Sequence, residues 1–218
     1  LSLLEEEYFI GFFWQTFHTS IFPILTETHF KKHYQSLWMT SGTTRRPSAL
    51  VNIVIAMCMQ YYFCTLPSES QGILVEGKDA MVAGRWHYWR GQALLTYELE
   101  SPSISTLQCH LLCAIYLCGG SFQNRMENSV SLAIRVAYTL GLHIDPPSTM
   151  AEPDRELRRR LWWAVFLMDT KSGMKLGHPF MLHGSSTFTP IGKRNLDEFQ
   201  SLSHHIIHSG AGGIYLFQ

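Results

Sequence analysis

Apolar side chains return every three or four positions along most of this chain, a pattern that predicts a series of helices and few credible strands. Leu3, Leu4, Tyr8, Gly11 and Phe12, with Gln15, open one amphipathic helix. It has to stop before Pro23 in FHTSIFPIL, because proline inside a helix removes a hydrogen bond and clashes with the preceding turn. A short second helix is predicted from Glu27 to Met39. After the loop SGTTRRPS, Pro47 is placed in the first turn of SALVNIVIAMCMQYYF, a run so apolar that its helix should be buried on most sides.

The polar, glycine-containing stretch LPSESQGILVEG at 66–77 interrupts this pattern and predicts a soft boundary between two lobes of one domain spanning 1–190. Helical texture resumes with KDAMVAGRWHYWRGQALLTYELE. In SPSISTLQCHLLCAIYLCGG, either Ser103 or Ser105 supplies the N-cap, with Gln108 as the third residue of a capping box in the second case, and Gly119 marks the stop. In NSVSLAIRVAYTLGLHIDPP, Val130, Ile134, Ala137 and Tyr138 share one face, Gly141 suits the position just past the helix, and Pro146 and Pro147 forbid continuation. Sequential helices joined by short turns stack as antiparallel hairpins, so the expected fold is all-α, with hairpins packed into a helical bundle or array. The tail at 191–218, ending SLSHHIIHSGAGGIYLFQ, is different in texture and yields no structural expectation.

The stretch RELRRRLWWAVFLMDT sets three consecutive arginines before an almost wholly apolar run. Its helix is expected to start at Pro153, with Asp154 and Glu156 in a first turn where negative charge suits the macrodipole. Leu157, Leu161, Ala164, Val165 and Met168 form one stripe, and Trp162, Trp163, Phe166 and Leu167 cover the remaining sides, which predicts a helix buried all round. The arginines admit three readings: a grip on nucleic acid, an anion site, or a structural network. Asp154 to Arg158 and Glu156 to Arg160 are acid-first pairs four residues apart, and Arg159 can lie against Trp163 one turn on. Neighbouring residues diverge by ~100° on a helix, so three adjacent arginines cannot make one flat phosphate-binding face. The structural network is therefore preferred, the anion site comes second and nucleic acid last.

Composition narrows the classes further. Lys plus Arg and Asp plus Glu number 17 each, so no general field attracts a phosphate backbone or an anionic membrane. The longest apolar runs, LLCAIYLC and LWWAVFLM, fall well short of the ~20 residues a membrane span needs. LSLLEEEYF lacks the basic-then-apolar order of a secretory signal, and a first residue of Leu1 suggests a processed or partial product. Five cysteines clustered in two apolar segments fit a reducing compartment better than a disulfide framework.

At this point several strings converge. RELRRRLWWAVFLMDTKSGMKLGHPF resembles the signature of the fungal-specific transcription factor domain, the middle regulatory region downstream of binuclear zinc-cluster DNA-binding domains. YFIGFFWQTFHTSIFPILTETHF is similar to that family's opening, SISTLQCHLLCAIYLCGG to its Thr-Leu-Gln helix, and SVSLAIRVAYTLGLHIDP to its Ala-Ile-Arg and Gly-Leu-His segment. The resemblance marks Gln108, Arg159, Arg160, Trp162, Trp163, Asp169, Gly177, His178 and Pro179 as signature positions with structural roles. It implies a nuclear regulatory domain controlling RNA polymerase II genes, those of a metabolic or biosynthetic pathway among the candidates. It also implies a small-molecule effector or protein partner, homo- or heterodimerisation, and DNA contact only through a separate domain.

Two departures from the family stand out. LGHPF carries His178 where the family usually has arginine, so any charge-assisted contact made there becomes weaker and pH-dependent. Cys58, Cys64, Cys109, Cys113 and Cys118 lack the close pairs of a six-cysteine zinc cluster, so no cofactor is expected in this chain and zinc only in a DNA-binding domain outside it. GILVEGKD falls one residue short of a phosphate loop, with Asp79 where a hydroxyl is required, and reads as a loop. His204, His205 and His208 suit a helix turn with polar edges better than a metal site, and Cys109, His110 and Cys113 suit a core helix better than a nucleophile pair. Trp86, Tyr88 and Trp89 are candidates for a ligand pocket with His143, against core packing as the simpler reading. The competing function is a helical enzyme or small-molecule-binding protein built on His87, His110 or His143.

Overall fold

The computed structural model describes residues 1–20, 23–38, 45–65 and 82–182, the side chains of 18–20 excepted. Among them lie seven helices: α1 Leu3–Ser20, α2 Glu27–Ser36, α3 Ala49–Thr65, α4 Arg85–Glu98, α5 Ile104–Gly119, α6 Gln123–Thr139 and α7 Glu152–Leu176. The one β-type pairing among these residues is an isolated bridge between Trp38 and Arg45. The architecture is an all-α array, as the periodicity implies. Both the soft boundary at 66–77 and the tail at 191–218 lie outside the described residues.

α3 and α5 form the centre because they are apolar on every side. Val51, Ile53, Val54, Ile55, Ala56 and Cys58 in α3 are wholly buried, and every residue of α5 from Thr106 to Cys118 is buried. α5 packs against α3, α4, α6 and α7, while α1 and α4 cover α3. α5 and α6 are joined by 120–122 alone, and α6 and α7 pack in turn, so the second half is a run of antiparallel hairpins. On the other flank, α1 lays an aromatic face on the end of α3: Phe17 stands 5.1 Å from Tyr61 and Phe9 6.0 Å from Tyr62, ring centre to ring centre, edge to face.

Buried polar side chains tie the helices to one another. Gln60 of α3 donates to the Tyr116 carbonyl at 3.1 Å, Ser129 of α6 to the His110 carbonyl at 2.9 Å, and Gln108 of α5 to the Ile24 carbonyl at 2.5 Å. Arg45 forks onto Glu6, with Nε and Nη2 at 2.5 and 2.8 Å from its two oxygens, and so fixes the chain before α3 to α1. Gly84 precedes α4 at φ +75, where a Cβ would stand 2.7 Å from the backbone of Ala56; only glycine permits this approach of α4 to α3.

Several boundaries differ from the sequence reading. α2 stops at Ser36, short of Met39. Pro47 stays outside α3 because Ser48 takes the cap, accepting from the Val51 N–H at 3.4 Å. The cap of α5 is Ser103, in a reciprocal box with Thr106, which frees Gln108 for its bond to Ile24. Tyr138, placed by period on the inner face of α6, is 39% exposed. α7 is not buried all round: Leu161, Trp162, Ala164, Val165 and Met168 are inside, while Trp163, Phe166 and Leu167 are only half-buried.

Candidate functional site

The helix α7 and the turn after it are tied to the rest of the domain at both ends. Arg160 makes the expected contact, Nε to Glu156 Oε1 at 2.9 Å. Arg158 does not pair with Asp154; its Nη2 donates to the Leu140 carbonyl at 2.6 Å. That carbonyl belongs to the end of α6, where the dipole is negative and a cation is favoured. Arg159 reaches back to Asp145, Nε to Oδ1 at 3.2 Å, with Glu152 3.7 Å away, rather than lying on Trp163. Arg155 also pairs with Glu152. The arginines thus bind the start of α7 to the loop that follows α6. Trp162 completes that joint, its ring 5.6 Å from Tyr138 and 6.2 Å from His143.

Asp169 governs the other end. It is 5% exposed, and its two oxygens accept the backbone N–H groups of Met181 and Leu182 at 3.2 and 2.8 Å. The chain can fold back in this way because Gly177 ends α7 at φ +70 and the His178 N–H donates to the Gly173 carbonyl at 3.1 Å. Phe180 then lies over Gly173, where even a Cβ would come within 2.6 Å of its ring, and Leu182 enters the core. His178 extends to α6, with Nδ1 2.6 Å from Glu127 Oε1. This is an ion pair only when the imidazole is protonated. Pro179 lies exposed between these two anchors. Sequence reasoning missed Glu127 and Phe180, whose roles depend on a fold-back that no local pattern announces.

The other candidates disperse. Trp86 and Trp89 are 64% and 43% exposed on α4, and Arg125 at the start of α6 lies 4.2 Å from the Trp89 ring. His143 packs instead on Tyr138, at the opposite end of α6, ~20 Å further along its axis by the helical rise. These three residues therefore cannot line one pocket. His87 stands 3.4 Å from Asn52 Oδ1 between α3 and α4, and His110 is sealed in α5 at 2% exposure. Burial pushes both imidazoles down to about 4. Burial also raises the thiols of Cys58 and Cys109 and pushes Cys113 up to about 12, so none of these three is a ready thiolate. Among the described residues no three His, Cys, Asp or Glu side chains gather as metal ligands, and no helix is long and apolar enough to cross a membrane.

Two hollows remain. A broad groove of about 700 Å³ runs between α1 and α2, floored by Ile10, Trp14, Tyr34 and Trp38. A smaller one of about 180 Å³ lies where α2 meets the first turn of α5, with His29, His33 and Gln108 among apolar neighbours that include Leu50 and Leu157.

The four sequence strings that suggested a family fall on the structural joints just described, and a model of the fungal specific transcription factor domain matches residues 10–203. The chain belongs to that family. Transcription factor asqA of Emericella nidulans is 66% identical over 190 residues, covering 87% of this chain and 34% of that protein. The terreic acid cluster-specific transcription factor atF of Aspergillus terreus is 39% identical over 85% of this chain and 28% of its own length. FTF2 of Fusarium oxysporum, a Zn(2)-C6 fungal-type transcription factor, is 25% identical over 86% of this chain and 17% of its own. The chain spans about a third or less of the length of these relatives. No solved structure matches it. The fungal transcription factor domain is a regulatory domain and not an enzyme.

Proposed function

We propose that this domain is the regulatory part of a nuclear zinc-cluster transcription factor that controls RNA polymerase II transcription of a biosynthetic gene cluster. The observation that carries this reading is the extended identity to asqA and atF, the second of which is named for the gene cluster it serves. The zinc ions and the DNA contact belong to a region outside this chain, because four of the five cysteines here are buried in helices, Cys64 is half-buried, and together they have no zinc-cluster spacing. The domain acts as a switch: an effector or protein partner that binds one arrangement of the helices more tightly shifts the population toward it, and with it the activity of the attached segments. The hollow between α2 and α5 suits a small neutral effector, since its lining combines apolar walls with imidazole, hydroxyl and amide groups and includes no Lys, Arg, Asp or Glu.

Disrupting the gene and measuring transcripts genome-wide tests the reading. A coordinated change confined to a contiguous set of biosynthetic genes is expected. An unchanged transcriptome under conditions in which the gene is expressed would refute it.

A further inference from the structure

α4 turns its two tryptophans outward, and each has a guanidinium over its ring besides an edge contact with the ring of the next or preceding residue. Trp86 is 64% exposed and Trp89 43%, although indoles contribute most when buried in a core or an interface. The Arg90 guanidinium lies 5.3 Å from the Trp86 ring centre, and those of Arg85 and Arg125 lie 5.6 and 4.2 Å from that of Trp89. Arg85 is also 4.4 Å from Phe122. Arg125 comes from the first turn of α6, so the patch spans two helices and is held in shape by the fold.

No carboxylate among the described residues pairs with Arg85, Arg90 or Arg125, whereas Arg45, Arg155, Arg159 and Arg160 all have acidic partners. In a chain with 17 basic and 17 acidic side chains, this leaves one face with three uncompensated guanidiniums. A ring quadrupole orients a guanidinium without neutralising it, so the outward N–H groups stay available for bidentate pairing with a carboxylate. Tryptophan and arginine are also the residues most concentrated at the energetic centres of protein interfaces.

We propose that this face of α4 and α6 is a docking surface for an acidic peptide segment of a partner protein. Carboxylates of the segment pair with Arg85, Arg90 and Arg125, and apolar side chains interspersed among them pack on the parts of Trp86 and Trp89 that the guanidiniums leave exposed. Charge complementarity selects the acidic partner. Nucleic acid fits less well, because stacking of bases requires open aromatic faces and these rings are already met by guanidinium groups. The proposal goes beyond the transcriptional role and stands or falls separately from it, since it concerns binding by the isolated chain.

The test titrates the 218-residue chain with a synthetic peptide alternating Asp and Glu with Leu and Phe, read by tryptophan fluorescence and calorimetry at low and high salt. Saturable binding that weakens in high salt is expected, because the pairs are only partly desolvated. Arg90→Glu and Trp86→Ala, both at exposed positions, should each weaken it roughly tenfold while leaving the melting temperature unchanged. The same peptide with Lys replacing every acid should not bind. Absence of saturable binding, binding that neither substitution diminishes, or tighter binding of a duplex oligonucleotide than of the peptide would overturn the proposal.

Discussion

Asp169→Asn is the most informative perturbation of the signature region, because it keeps shape and removes only charge and one acceptor. In the native fold both carboxylate oxygens are occupied, by the N–H groups of Met181 and Leu182, in a site that is 5% exposed. A hydrogen bond to a charged partner stabilises by ~1.5–3 kcal/mol. Asparagine retains one carbonyl oxygen for one of the two amides, but its NH₂ must then face the other, donor against donor. The expected loss is therefore one charge-assisted bond plus the weakening of its companion, about 2–3 kcal/mol. For a domain of this size that lowers the melting temperature by roughly 5–10 °C. Circular dichroism gives the melting shift, and hydrogen exchange gives the location, with the Met181 and Leu182 amides losing protection ahead of α5. A variant melting within about 1 °C of the parent, with those amides equally protected, would refute the idea that Asp169 holds the turn.

Three further outcomes follow from the same geometry. Gly84→Ala forces a left-handed φ and sets a Cβ 2.7 Å from the Ala56 backbone, so it should cost more than ~3 kcal/mol in denaturant unfolding. Gly141→Ala, with φ +68 and open space around it, should cost only ~1 kcal/mol, and equal losses would contradict the close approach of α4 to α3. His178→Arg should make the Glu127 contact a permanent ion pair and raise stability by at most ~1 kcal/mol at low salt, with the gain fading at high salt; no gain in low salt would show that the contact is idle. His110, held neutral with a pKa of about 4 against 6.5 when unfolded, contributes no pH dependence above about 6.5. As pH falls through that window the unfolded chain takes up the proton first, so stability should decline by up to ~3 kcal/mol, and His110→Leu should flatten the decline; identical pH profiles for the two proteins would refute it.

Helix order and most ends were legible because they depend on local chemistry: apolar spacing, a serine cap, a glycine or proline at the stop. The partners of the arginines were not. Sequence proximity favours Asp154 for Arg158, but the Leu140 carbonyl, 18 residues back, offers the end of a helix dipole and draws the side chain there. Gln108 could be read as a capping residue, since nothing in the chain signals that Ile24, 84 positions away, presents a carbonyl beside it. Trp162 and Trp163 are chemically identical neighbours, yet ~100° of helical rotation buries the first and leaves the second half-exposed. The exposure of Trp86 and Trp89 was illegible for a related reason: an aromatic next to arginines can belong to a core or to a surface, and only the packing of α4 on α3 decides which face is left.

A signature string is readily taken for an active or ligand-binding site, and the geometry of α7 argues against that equation here. Arg158, Arg159 and Arg160 are engaged with a helix end, a loop acid and their own helix, Asp169 has both oxygens occupied, and Gly177 serves the reversal of the chain. Groups so committed have little capacity left for an external ligand, because each new contact would first have to break one that stabilises the domain. A regulatory domain still has to meet something. The side chains able to do so at no cost to the fold are those whose hydrogen-bonding or apolar surface is unspent, and the cationic, indole-bearing face of α4 and α6 concentrates them.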